Sequence, residues 1–173
     1  MSSYALEILA ECHNRAGFAS GLESVDRYLQ ETARGHLEKG ISVTRVLVEA
    51  GGTSPKEVVG FFTLSNITVE AGGWPGVAKR LPKLAVSAVL LGRLVVAMAA
   101  HERGIGSMLV ASACQLARET ILRTGGIGMV VDAANEHVVE FYTRFGFRQV
   151  SAARLRMFLP STSLETGAAI AMG

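Results

Sequence analysis

Cysteine is scarce in this chain of 173 residues, with only Cys12 and Cys114 present. Two isolated thiols form no disulfide framework, and neither lies in a metal or thiol-redox spacing. Histidine is equally thin: His13, His36, His101 and His137 show no ligand spacing, so no metal is expected. Charged residues are only 18% and the net charge is +2, too small a balance to argue for nucleic acid by itself. No basic flank opens the chain, where Glu7 and Glu11 stand instead, so no secretory signal is expected. An uninterrupted apolar span is missing as well. Leu84 to Ala100 approaches bilayer length, but Arg93 at its centre costs about 2.5–3.5 kcal/mol there, and Gly92 beside it weakens a helix. These absences together predict a soluble, cytoplasmic protein with no membrane partner.

What is present is a greasy globular composition, 49% apolar, in a length that buries a core without staples. A single domain over residues 1–160 is expected, followed by a small, polar tail at 161–173 that reads as disordered. Ser20-Gly-Leu-Glu23 reads as a capping box, with Leu22, Val25, Leu29, Ala33 and Leu37 following at helical spacing up to Gly40. Ser42 to Glu49 and Val58 to Val69 alternate as strands around the turn Gly51 to Pro55, which predicts a hairpin. Glu70 to Pro82, around the lone Trp74, is an irregular connection, or alternatively a cover for a cleft.

Leu90 to Val96 is an apolar, β-branched run that reads as a central buried strand. A short loop then leads to Gly104 and Gly106, at the head of the helical pattern Ile105, Leu109, Ala113, Leu116 that closes near Gly125-Gly126. A strand feeding a glycine-bounded helix N-terminus makes an anion site, because the free amides and the helix dipole point at one place. Ser107, Met108 and Leu109 follow Gly106, which excludes both a third fingerprint glycine and a nucleotide-binding Gly-Lys-Ser/Thr. Ile127 to Val131 reads as a short parallel strand after a right-handed crossover. Asn135 to Phe145 follows as a helix capped by Gly146, then strands at Phe147 to Val150 and Leu155 to Leu159. The layout is α/β with a mixed sheet.

His101-Glu102-Arg103-Gly104-Ile105-Gly106 resembles the Gln/Arg-x-x-Gly-x-Gly/Ala loop of the GNAT superfamily of acyl-CoA-dependent N-acetyltransferases. Asn135, Phe141-Tyr142 and Gly146-Phe147 are similar to that superfamily's second signature. The resemblance covers essentially the whole chain. It implies a mostly antiparallel mixed sheet with a central strand–glycine loop–helix unit and helices on both faces. It further implies acetyl-CoA as cofactor, with its diphosphate at Arg103, Gly104, Ile105, Gly106 and Ser107 and its pantetheine arm along Leu94, Val95 and Val96. His101, Asn135 and Phe141 complete the implied cofactor set. His101 departs from Gln/Arg, and Ala97-Met98 stands where the superfamily carries a polar pair; Arg103 and the backbone amides are left as the main phosphate contacts.

Acetyl transfer to an amine needs a polarised thioester carbonyl and a proton for the departing thiolate, whose ordinary pKa is about 8.5. Tyr142, with a phenol that ordinarily titrates near pKa ~10, is the candidate general acid. Amides near Val95 and Val96 are candidates to hold the carbonyl oxygen. Glu102 and Glu140 are conceivable bases but read better as solvated, and an α-amine of pKa ~7.7–8.0 needs no base.

Leu90-Leu-Gly-Arg93-Leu, Val130-Val-Asp132-Ala, Phe141-Tyr-Thr-Arg-Phe-Gly-Phe147 and Arg156-Met-Phe-Leu-Pro160 resemble the toxin branch of the superfamily. So does Phe18-Ala-Ser-Gly-Leu with Val25-Asp26-Arg-Tyr-Leu29. That resemblance implies a toxin acetylating the α-amine of aminoacyl-tRNA, working as a homodimer and neutralised by a ribbon–helix–helix antitoxin. Arg93, Lys79, Arg80 and Arg144 are then substrate-binding candidates, within the wider basic set of Lys83, Arg148, Arg154 and Arg156. A GNAT acting on a protein or small amine, or a catalytically weak binding module on this fold, remain the alternatives.

Overall fold

The computed structural model describes residues 3–79, 81, 85–151 and 153–173. The chain forms two compact units, Met1–Ser65 with Arg93–Leu109, and Asn66–Gly92 with Val110–Gly173. It is a mixed α/β fold with a mostly antiparallel sheet, as the sequence predicts.

In the first unit, β1 (Tyr4–Ile8) and β2 (His13–Asn14) precede a continuous helical stretch. That stretch is α1 (Glu23–Arg27), a π-helical turn (Tyr28–Thr32) and α2 (Ala33–Glu38). The expected hairpin is present as β3 (Val43–Glu49) and β4 (Lys56–Val69), antiparallel with Arg45 opposite Phe62 and Leu47 opposite Gly60. Its alternating residues put Thr44, Val46 and Val48 inside, together with Phe61 and Phe62. Phe18 packs edge-on against Phe61 at 5.3 Å. β1, which the sequence reading did not include, pairs antiparallel with β3 from Tyr4 opposite Glu49 to Ile8 opposite Arg45.

The predicted capping box takes another form. Ser20 does not cap with Glu23; its amide (3.0 Å) and hydroxyl (2.6 Å) both donate to Asp26 Oδ1. Gly21, at φ +93°, turns the chain so that Leu22 is the cap position with no side-chain cap bond.

β5 (Val86–Val96) has its first seven residues in the second unit, where it pairs in parallel with β6 (Gly128–Asp132), Val89 opposite Met129 and Leu91 opposite Val131. α3 (Ile105–Thr124) is the intervening helix, and α4 (Glu136–Thr143) follows β6. β8 (Arg156–Pro160) lies antiparallel to both β6 and β7 (Arg148–Ser151). Trp74 packs against Phe158, tilted at 5.0 Å, within a cluster that includes Val69, Ala71 and Val130.

The tail departs from expectation. Residues 164–172 are not disordered but form α5 (Leu164–Met172), burying Leu164, Gly167, Ala168 and Ala171 at helical spacing. Gly167 permits this, since a Cβ there would stand 2.9 Å from Leu159 Cδ2 and 3.2 Å from the Phe145 carbonyl oxygen. Small side chains packed this closely bury a helix that hydrophobic bulk does not announce. Among the described residues, no helix is long and apolar enough to cross a membrane.

Candidate active site

The loop into α3 passes through two left-handed residues, Glu102 (φ +66°) and Gly104 (φ +74°). Regular bonding within the helix opens with Met108 N–H donating to the Gly104 carbonyl at 3.2 Å. The amides of Ile105, Gly106 and Ser107 precede that bond and have no acceptor within the helix. Gly104 is exposed, and a Cβ there would meet nothing within 4 Å. Glycine is therefore required by the backbone turn, and the space beside it is open to an anion.

Ile105 is only 1% exposed and fixes the first turn against the sheet. Gly60, which sequence reasoning overlooked, makes the seat: a Cβ there would lie 2.9 Å from Leu109 Cδ1, 3.0 Å from the Val95 carbonyl oxygen and 3.1 Å from Ile105 Cγ2. A glycine inside the strand run Val58-Val-Gly-Phe-Phe62 is the signal that would have found it.

Leu94 and Val96 are half-buried and Val95 is buried on the last residues of β5, beyond the Leu91–Val131 pair that ends its register with β6. Ala97 N–H is engaged by the Val59 carbonyl at 2.9 Å. His101 Nε2 lies 3.3 Å from the Val96 carbonyl oxygen, with the ring exposed. Arg103 is exposed and only 3.9 Å from Glu49 in a long surface pair, which leaves its guanidinium largely uncommitted.

In the second unit, Asn135 caps α4, its Oδ1 accepting from Val138 N–H at 3.0 Å. The helix carries Phe141, half-buried, and Tyr142, which is 4% exposed and packs edge-on against Phe141 and Phe147. Burial holds the Tyr142 phenol well above its ordinary range, with the Cys114 thiol adding to the effect. It is thus a proton donor, not a base, at any physiological pH. The only wholly buried side-chain polar atom without a partner among the described residues is Thr44 Oγ1. Tyr142 Oη makes no hydrogen bond among the described residues, and its ring lies in the core.

Lys79 and Arg144 are exposed, Arg144 lying 5.3 Å above Phe141; Arg80 and Lys83 fall outside the described residues. Arg148 and Arg154 are exposed as expected for phosphate contacts. Arg156 is different: it grips Asp132 with Nε at 2.7 Å and Nη2 at 2.9 Å and is committed within the fold. Glu102 and Glu140 are exposed, as the solvated reading has them.

Glu7, Cys12 and His13 come together, a cluster that the sequence spacing hid. It does not suit a metal ion. The Ala10 amide donates to His13 Nδ1 at 2.9 Å, so Nε2 carries the hydrogen and donates to Glu7 at 2.8 Å. Lys56 holds the other Glu7 oxygen at 2.6 Å and keeps that carboxyl below its ordinary range, His13 assisting. A cation would have to displace both donors, and the group reads as an internal polar network tying β1 and β2 to β4.

The first unit thus carries a strand leading into an open helix N-terminus suited to an anion, and the second carries a buried, protonated tyrosine. The family model of the acetyltransferase (GNAT) family matches residues 6–147, and the chain belongs to that family. Among solved structures it is similar to a tyrosine-to-phenylalanine mutant of KacT, with 29% identity, a TM-score of 0.85, and coverage of 94% of this chain and 97% of that one. It is likewise similar to AtaT complexed with acetyl-methionyl-tRNAfMet (26% identity, TM-score 0.85, 94% and 98% covered). A third structure, AtaTR bound with AcCoA, matches at 27% identity and a TM-score of 0.81, with 94% and 96% covered.

Proposed function

We propose that this protein is a toxin that transfers the acetyl group of acetyl-CoA to the α-amine of aminoacyl-tRNA, so blocking translation. The observation that carries this reading is the likeness over 94% of the chain to AtaT complexed with acetyl-methionyl-tRNAfMet. Residues 1–160 are read as one acetyltransferase domain, in line with the family match over residues 6–147.

The residues present fit acetyl-CoA, which supplies an activated acetyl thioester when bound. The amides of Ile105, Gly106 and Ser107, which have no acceptor within the helix, hold an anion without side chains, and the open space beside Gly104 admits a diphosphate. Arg103 adds a flexible cation there. The half-buried Leu94 and Val96 offer apolar surface for the pantetheine arm. As the amine nitrogen bonds to the carbonyl carbon, the C–S bond breaks and the Tyr142 hydroxyl gives its proton to sulfur. The amine proton then restores the phenol by way of solvent. Tyr142 carries its proton at neutral pH, and since burial raises the phenol above its ordinary range the transfer to sulfur must be concerted with C–S cleavage.

Lys79, Arg144, Arg148 and Arg154 supply exposed positive charge for the phosphate backbone of tRNA, which positions without reading sequence. The resemblance to the toxin branch supports a homodimer acting in the cytoplasm and held inactive by a ribbon–helix–helix antitoxin. Expression in growing cells tests the reading. Growth arrest, with N-acetylated amino acids released from the recovered tRNA, is the expected result; arrest without any such species, or acetylation confined to protein or polyamine, contradicts it.

A further inference from the structure

In the first unit, Arg93 is half-buried on β5 with its guanidinium carbon 3.6 Å from the centre of the Tyr28 ring. Among the described residues, that guanidinium takes part in no ion pair and no hydrogen bond. This is unusual, because a partly desolvated cation normally has a carboxylate beside it. Its neighbour is an aromatic face instead. Stacking on a face uses none of the five in-plane N–H donors, which remain presented as a fork.

Tyr28 is itself tightly held. It opens the π-helical turn, is 6% exposed, and its hydroxyl lies 3.1 Å from His36 Nδ1 and 3.2 Å from Ser42 Oγ. The His36 ring stands edge-on at 5.5 Å. Regular α-helix is interrupted at this turn, and such interruptions frequently mark functional positions. Arg93 is also set apart from the diphosphate cradle, since from Arg93 to Val96 the extended backbone covers roughly 10 Å before the loop to α3 begins.

We infer that Tyr28 is a positioning residue that holds Arg93 as a pre-aimed fork for one phosphodiester of the single-stranded acceptor end of the charged tRNA. The inference rests on the reading of the protein as an aminoacyl-tRNA acetyltransferase. The ring face immobilises the guanidinium and leaves its donors unsatisfied until the phosphate arrives.

The test measures KM for charged tRNA across a salt series, with kcat, KM for acetyl-CoA and Tm alongside. Arg93→Gln and Tyr28→Leu should each raise KM for charged tRNA about tenfold, as expected for loss of a desolvated cation–aromatic contact. Each should also reduce the slope of log affinity against log salt by about 0.7, one single-strand phosphate, while kcat and KM for acetyl-CoA change little; Tm should hold in Arg93→Gln and fall in Tyr28→Leu, which empties part of a buried site. The double variant should be no worse than either single one. Tyr28→Phe, which keeps the ring, should retain most of the affinity that Tyr28→Leu loses. Should Tyr28→Leu not fold, pentafluorophenylalanine at position 28 replaces it, since it keeps the shape while draining the negative face. It should raise KM relative to phenylalanine at the same position. Additive effects, an unchanged salt slope, or equal KM for the plain and fluorinated rings would overturn the assignment, while acetylation of charged tRNA would still stand. If the wild-type protein does not acetylate charged tRNA at all, both readings fall together.

Discussion

Gly60→Ala adds one methyl group, and its consequence can be worked from three distances. The new Cβ would sit 2.9 Å from Leu109 Cδ1, 3.0 Å from the Val95 carbonyl oxygen and 3.1 Å from Ile105 Cγ2. Val95 O is backbone, and Leu109 and Ile105 are 0% and 1% exposed, so none of the three has free room to retreat into. Overpacking of this kind costs about 1–3 kcal/mol. Alanine returns about 0.5–1 kcal/mol through its lower conformational entropy in a strand. The net is a destabilisation of up to about 2.5 kcal/mol, or a Tm lower by up to about 10 °C at this chain length. Because the pressure falls on Ile105, the first residue of α3, the amides proposed to hold the cofactor diphosphate are displaced with it. Acetyl-CoA should therefore bind several-fold more weakly in a variant that is still folded. Calorimetry reads both quantities. Gly35→Ala is the control: it lies in α2, where a Cβ meets nothing within 4 Å. It should raise stability by about 0.5–1 kcal/mol and leave acetyl-CoA affinity alone. An unchanged Tm together with unchanged acetyl-CoA affinity in Gly60→Ala would refute the claim that this glycine seats the helix.

Tyr142→Phe should lower kcat by roughly 10²–10⁴-fold with nearly unchanged acetyl-CoA affinity, checked by single-turnover kinetics beside calorimetry. The bidentate grip of Arg156 holds the Asp132 carboxyl below its ordinary range in the folded state. Its stabilisation is therefore complete above the unfolded pKa and is lost as pH falls through the depressed folded one. Between pH 6 and pH 2.5, wild type should lose more Tm than Asp132→Asn, so that the two converge in acid; parallel curves would contradict this. Burial pushes the Cys114 thiol up to about 12, so iodoacetamide at pH 8 should label Cys12 first and Cys114 only on unfolding, as mass mapping will show.

Much of the architecture was legible because it is written in periodicity. The β3–β4 hairpin follows from alternation, and α3 from apolar spacing closed by Gly125. The turn into α3 was legible for a simple reason: glycine marks where the backbone must turn left-handed, as Gly104 does. Two elements were not seen. β1 carries Tyr4, Leu6 and Ile8 in alternation, but it is short and half-exposed and takes its stability from pairing with β3. α5 buries mainly glycine and alanine, so its helical spacing has almost no hydrophobic contrast. Ion pairs between distant residues stayed hidden too, which is why Arg156 was grouped with the phosphate-binding arginines although Asp132 occupies it. Neither the Tyr28–Arg93 stack nor the Gly60 seat has any local pattern beyond one aromatic and one glycine.

The central claim is the chemistry on charged tRNA, and one reconstituted assay addresses it. Purified protein is incubated with acetyl-CoA and a bulk pool of charged tRNA, and the amino acids released from the tRNA are examined by mass. N-acetylated amino acids should appear with wild type, fall by orders of magnitude with Tyr142→Phe, and diminish steeply as salt is raised. If no N-acetyl amino acid forms from any charged tRNA, while a protein or polyamine added to the same mixture is acetylated readily, the aminoacyl-tRNA account is wrong.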